Sequence, residues 1–169
     1  MDSDPTVEPI VVRMHEPARV AAPRPLRSGM LLKVDQPTVR FYRYLSTAAA
    51  GYWPWTEVRD LADEELRQIL DDDGFEFFAL YLAGEPVGCF ELEFDEMGGV
   101  EIVQMGTVPE HRGGELEKYL LWTAVETAWD HEPERVWARL DVGSDARSLL
   151  LYQRAGFDVT GGTDSDTDR

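Results

Sequence analysis

Residues Val100 to Leu121, VEIVQMGTVPEHRGGELEKYLL, decide how this chain is read. Val100 to Val108 has the apolar content of a strand. A Pro-Glu-His-Arg-Gly-Gly turn, Pro109 to Gly114, leads from it straight into a helix over 115–131. Leu116, Leu120, Ala124 and Ala128 form one stripe of that helix, flanked by Tyr119, Thr123 and Thr127. Glu115, Lys118, Glu126 and Asp130 lie away from it. A strand that turns directly into a helix aims unpaired backbone N–H groups at one spot, with the helix dipole behind them. Such a spot suits an anion, commonly a phosphate. The same glycines also serve an ordinary tight strand–helix connection, and the local pattern leaves both readings open.

Upstream, Phe75 to Ala83 is almost continuously apolar, Gly84-Glu85-Pro86 turns the chain, and Val87 to Phe94 alternates in part. The alternation puts Val87, Cys89, Glu91 and Glu93 on one side and Phe90, Leu92 and Phe94 on the other. Gly98-Gly99 turns the chain again, so the three strands form an antiparallel meander. Before them come a helix over Asp63 to Leu70, with Asp63 as its cap, and a helix over Thr38 to Ala50. Gly51 closes the latter, and Tyr52-Trp53-Pro54-Trp55 is an aromatic cluster at that break. Met30 to Val34 and Pro9 to Met14 are short strands, joined by a loop over His15 to Ser28.

Downstream, Arg135 to Leu140 is a strand, Ser144 to Ala155 a helix closed by Gly156, and Phe157 to Thr160 begins a last strand. The strand–helix–strand unit after the meander implies a parallel pair, hence a mixed α/β domain. The chain divides into an N-terminal strand and Pro-rich loop (1–29), a folded domain (30–160) and a disordered acidic tail (161–169).

Composition narrows the function. The chain has 169 residues, 43% of them hydrophobic, and 33 Asp and Glu oppose 16 Lys and Arg for a net charge of −17. Nucleic acid and anionic membrane are excluded as general partners, because their phosphates need cations. No apolar run approaches the roughly 20 residues that span a bilayer. No secretory signal is apparent, so the expected location is cytoplasmic. Cys89 is the only cysteine, which leaves no internal disulfide and no cysteine-built metal site. Only Lys33 and Lys118 are lysines. An acidic, lysine-poor surface suits a salt-rich, halophilic cytoplasm, where the Debye length falls to about 3 Å at 1 M; a GC-rich genome that favours Arg codons gives the same count.

Three stretches together carry a family resemblance: Val108-Pro109-Glu110-His111-Arg112-Gly113 followed by Leu120-Leu121, Leu151-Tyr152-Gln153-Arg154-Ala155-Gly156-Phe157, and Ala83-Gly84-Glu85-Pro86-Val87-Gly88. In this order and spacing the chain, from about Val34 to Phe157, resembles the GNAT superfamily of acetyl-CoA-dependent N-acyltransferases. The resemblance implies a largely antiparallel mixed sheet, flanked by about four helices, whose parallel central pair opens into a V-shaped cleft for acetyl-CoA. It implies direct attack of an amine on the thioester. By position Tyr152 matches the acid that protonates the leaving thiolate. Glu101, 11 residues before Arg112, matches a glutamate used as base in some members; Glu91 and Glu93 compete for that role. Gly106, Thr107 and Val108 match the strand end that binds thioester and pantetheine. Arg112, Gly113, Gly114, Glu115, Leu116 and Glu117 match the diphosphate loop, and Asp145 stands where many members carry a cofactor-binding Asn. Tyr52, Trp53 and Trp55 match the acceptor wall. His111 reads as a surface residue. The resemblance also implies a small-molecule or peptide amine as acceptor and, since GNAT domains often complete the short final edge through dimer contacts, a homodimer.

The chain departs from the resemblance in its loop, where Glu115 and Glu117 stand in place of small residues. A Glu near a helix N-terminus caps free N–H groups itself and repels a diphosphate. Two charges about 6 Å apart cost about 3 kcal/mol at an effective dielectric of about 20. Two readings follow: a working N-acetyltransferase, or a binding or regulatory module of the same fold with a degraded cofactor loop.

Overall fold

A computed structural model describes residues 9–49, 60–140 and 146–160. Tight turns set most of the strand order. β1 (Ile10–Met14) and β2 (Gly29–Lys33) precede two helices, α1 (Val39–Ala49) and α2 (Asp63–Leu70). Next, β3 (Phe75–Leu82) and β4 (Glu85–Phe94) are joined by Ala83 and Gly84, at φ 52° and 90°. Two consecutive positive-φ residues make the turn whose twist matches the strands. The turn therefore lies earlier than the expected Gly84-Glu85-Pro86, and Pro86 is within β4. Asp95 then accepts from the N–H groups of Met97 and Gly99 at 2.9 and 2.8 Å, turning the chain into β5 (Gly99–Thr107). The meander is antiparallel as expected.

α3 (Glu115–Trp129) crosses over to β6 (Arg135–Leu140), which returns parallel to β5. α4 (Ala146–Arg154) precedes β7 (Asp158–Thr160). The sheet order is β2-β3-β4-β5-β6-β1-β7. β1 is thus an interior strand, antiparallel to both β6 and β7. The N-terminal strand belongs to the same sheet as the residues that follow Gly29.

Each face of the sheet has its own core. On one, Leu116, Leu120, Ala124 and Ala128 of α3 are buried as the stripe predicts, widened by Leu121 and Val125, and pack with Phe90, Leu92, Ile102, Val136 and Tyr152. On the other, Tyr42, Leu45 and Ala49 of α1 and Leu66 and Leu70 of α2 cover Phe77, Ala79 and Cys89. Two local expectations are corrected. Asp63 is the first helical residue rather than the cap. Ala62 holds the cap position, its N–H bonded to the Glu65 carboxylate at 2.9 Å. Val87 joins the core of Phe90 and Leu92, because Leu80 pairs with Gly88 and Tyr81 with Pro86, and the extra residue inverts the alternation. Among the described residues no helix is long and apolar enough to cross a membrane.

The parallel pair is short. β5 and β6 are in register only at Gly99/Arg135, Val100/Val136 and Glu101/Trp137. Just beyond, β4 opposes Ile102 and then Gln104, so Val103 is a bulge. A bulge bends its strand, and here it lies where β5 leaves β6. Farther along β5, α1 ends against Gly106, where a Cβ would collide with the Ala49 carbonyl. Gly106→Ala is expected to cost about 2–3 kcal/mol of stability in urea unfolding. A loss well below that range would mean that α1 shifts to make room.

Candidate active site

The candidate groups are divided between the two faces of the sheet. On the side of α3 and α4, Tyr152 is 1% exposed and stacks edge-on against Phe157, ring centroids 5.1 Å apart. Its hydroxyl is buried without a hydrogen-bond partner among the described residues, and so is Oγ1 of Thr107 at the end of β5. Burial raises the Tyr152 phenol well above its usual range, with the charges of Glu117 and Glu101 adding to the effect. The hydroxyl is therefore within electrostatic reach of both β5 and the start of α3.

On the α1 face three acids line up. Glu101 is buried, and Arg139 holds both its oxygens, Nε to Oε1 at 2.7 Å and Nη2 to Oε2 at 3.1 Å. Burial still leaves this carboxyl above its ordinary value, against the pull of Arg139. Glu93, directly across the ladder from Glu101, is exposed. Glu91 is 3% exposed, with Oε1 unpartnered among the described residues. Burial pushes it up to about 8; the Tyr42 hydroxyl opposes this and Glu93 adds to it. The same burial raises the Tyr42 phenol and the Cys89 thiol, with Glu91 contributing to both.

The loop after β5 carries out the capping foreseen for its acids. Pro109–His111 is a single 3-10 turn, Gly113 has φ 71° and Gly114 is the N-cap of α3. Glu117, in the first turn, reaches back so that the Gly113 N–H donates to its Oε2 at 2.9 Å. Glu115 points elsewhere, paired with Lys118 at 2.8 Å. Arg112 turns toward α1, its Nη2 3.4 Å from the Ala48 carbonyl. Val108 spends its N–H on the Val87 carbonyl at 2.8 Å, and Leu116 is core. His111 is half-buried.

The structure brings Tyr152, Glu101 and Glu117 into one electrostatic neighbourhood and puts Gly106 to structural use against α1. Tyr52, Trp53, Trp55, Asp145 and the tail over 161–169 lie outside the described residues. Sequence reasoning missed two arginines. Arg139 was legible in the alternation of β6, which sends Val136, Ala138 and Leu140 inward and Arg139 to the opposite face. Arg147 of α4 stands beside Gly113, its Nη1 3.4 Å from where a Cβ there would be; no motif marks it.

The comparisons agree with this fold. A model of the acetyltransferase (GNAT) family matches residues 35–157. An aminoglycoside acetyltransferase from an uncultured soil metagenomic sample, in complex with sisomicin, is similar with a TM-score of 0.63 at 13% identity, over 80% of this chain and 92% of that one. A GNAT family acetyltransferase from Elizabethkingia anophelis with acetyl-CoA bound gives 0.60 at 19% identity, over 79% and 78%. A mutant spermidine N-acetyltransferase from Vibrio cholerae gives 0.61 at 20%, over 79% and 81%. No curated protein matches the chain.

Proposed function

The chain belongs to the acetyltransferase (GNAT) family, and from that membership we propose that it moves the acetyl group of acetyl-CoA onto a primary amine by direct attack. The observation that carries the proposal is the Tyr152 hydroxyl, buried without a partner among the described residues and acted on by the charges of Glu101 on β5 and Glu117 on α3. An unpaired buried hydroxyl costs about 1–3 kcal/mol. That cost is offset if the group meets a ligand atom, and a leaving sulfur is a fitting one. Thr107 supplies a second such hydroxyl at the strand end.

Acetyl-CoA supplies an activated thioester carbonyl. The rest is the work of this chain. Among the described residues, β6 leaves the β5 backbone beyond Glu101 unpaired on that side, where an extended ligand could line it. Tyr152 donates a hydrogen bond to charge developing on sulfur. Arg147 and the loop over Arg112 to Glu117 face the diphosphate end, where Glu117 must give up the Gly113 N–H. Glu101, held by Arg139, lines the acceptor side. The acids Glu91, Glu93 and Glu101 favour a cationic acceptor, such as a polyamine, an aminoglycoside or a Lys-bearing peptide. A cytoplasmic, salt-adapted setting and a dimer completed at the β7 edge accompany this reading.

Calorimetric titration with acetyl-CoA, in low salt and in about 2 M KCl, tests it. Binding is expected at both, about tenfold tighter in salt, because screening relieves the repulsion from Glu117. The bond from Gly113 to Glu117 favours a second reading, a GNAT-fold module that no longer takes CoA. Absence of binding at either salt would select that module and end the enzyme reading.

A further inference from the structure

We propose that Glu91 is the group that binds the acceptor's ammonium and takes its proton, so that the acceptor is a cationic primary amine received on the α1 face of the sheet. This deepens the acyltransferase reading and rests on it for the transfer itself. The ammonium site stands on the surroundings of Glu91 alone.

Those surroundings are unfavourable to a carboxylate. Phe77 lies opposite on β3 and offers only an apolar ring. Gln104 lies opposite on β5, but its amide donates to the Ser46 carbonyl at 3.1 Å. Tyr42 hydrogen-bonds Glu91 from α1 but brings no charge, and Cys89 and Glu93 flank it on its own strand. Among the described residues the groups that act on Glu91 are Tyr42 and Glu93, neither of them a cation; Arg139 holds Glu101, and Arg43 holds Asp63 and the Leu61 carbonyl. A carboxylate buried without a cation costs several kcal/mol, and an apolar side chain of similar size would pack there without it. Such a residue is explained by a cation that arrives with the substrate.

Position and chemistry agree. Gln104, the cross-strand partner of Glu91, directly follows the Val103 bulge where β5 leaves β6. Of the three acids on this face, Glu101 has both oxygens engaged and Glu93 is solvated, whereas Glu91 keeps an unpartnered oxygen among the described residues. The raised value of about 8 suits a base that works near neutrality. In the step, one ammonium proton passes to Glu91, and the freed nitrogen lone pair forms the C–N bond as the thioester C–S bond breaks. A second nitrogen proton ends on sulfur, which Tyr152 hydrogen-bonds meanwhile, and Glu91 then releases its proton to solvent. One alkylammonium and one thioester thus give one amide, one thiol and one proton.

The test uses the full chain and methylammonium, the simplest primary ammonium. The Glu91 side-chain carboxyl is followed by 13C NMR against pH, its signal assigned by its loss in Glu91→Gln. Methylammonium chloride is expected to lower the Glu91 midpoint by about one pH unit, and sodium chloride at equal concentration to leave it in place. A midpoint that methylammonium does not move would overturn the proposal. Kinetics with spermidine and acetyl-CoA give the second arm. Glu91→Gln is expected to lose about 100-fold in kcat together with the alkaline rise of kcat/KM, and Glu91→Asp to restore part of both. An unchanged pH profile in Glu91→Gln would also overturn it. If wild-type protein fails to bind acetyl-CoA, the acyltransferase reading fails alone, and the methylammonium shift still decides the role of Glu91.

Discussion

Tyr152→Phe is expected to lower kcat with acetyl-CoA and spermidine by about 10²- to 10⁴-fold while leaving the fold intact or slightly more stable. The opposed signs follow from the same observation. The hydroxyl is buried and unpartnered among the described residues, so removing it relieves an unpaired polar group of up to about 1–3 kcal/mol. The ring keeps its contact with Phe157 and its place in the core. Burial keeps the phenol protonated at any working pH, so its contribution is a hydrogen bond to charge growing on sulfur, which Phe cannot make. Steady-state kinetics beside thermal unfolding separate the two effects. Activity within twofold of wild type would reduce Tyr152 to a packing residue.

Glu117→Gly is expected to tighten acetyl-CoA binding by about one to three orders of magnitude, because it releases the Gly113 N–H and removes a charge from the diphosphate approach. The substitution carries a cost. Glu117 satisfies an orphan donor at the start of α3, and losing that cap together with a helix former should lower stability by about 1–2 kcal/mol. Glu117→Gln keeps the side-chain length and drops the charge, so calorimetry on both variants divides repulsion from occupation of the donor. Affinities equal to wild type in both would mean that the loop is not a diphosphate site. Glu115 is the internal control, since it already points at Lys118.

Much of this was legible because it is local. The stripe of Leu116, Leu120, Ala124 and Ala128, the meander and the strand over Arg135 to Leu140 depend on neighbours a few residues apart. So does the bond from Gly113 to Glu117, a cap that needs only one helical turn. What the sequence hid is non-local or breaks a period. Val87 changes face because one unpaired residue shifts the ladder. Glu91 sits in an alternating strand in which a glutamate normally marks the wet side, and only the packing of α1 over the sheet makes it a buried acid. The ion pair of Glu101 with Arg139 spans two strands that meet over just three residue pairs. The position of β1 between β6 and β7 leaves no trace in its own five residues.

That position sets a schedule for synthesis. Ile10 to Met14 are synthesised more than 100 residues before their ladder partners over Arg135 to Leu140. Until then the segment has both hydrogen-bonding edges open, and loop-closure entropy opposes its docking. The β2–β5 meander and α3 can assemble without it, and β1 then enters as the seam that joins β6 to β7. Until β6 is made the nascent chain therefore carries an exposed, apolar, strand-forming segment, the kind that pairs wrongly when chains are crowded. Pro9 and Pro17, on either side of it, have no N–H to give a ladder, which weakens pairing beyond the one strand the finished sheet needs.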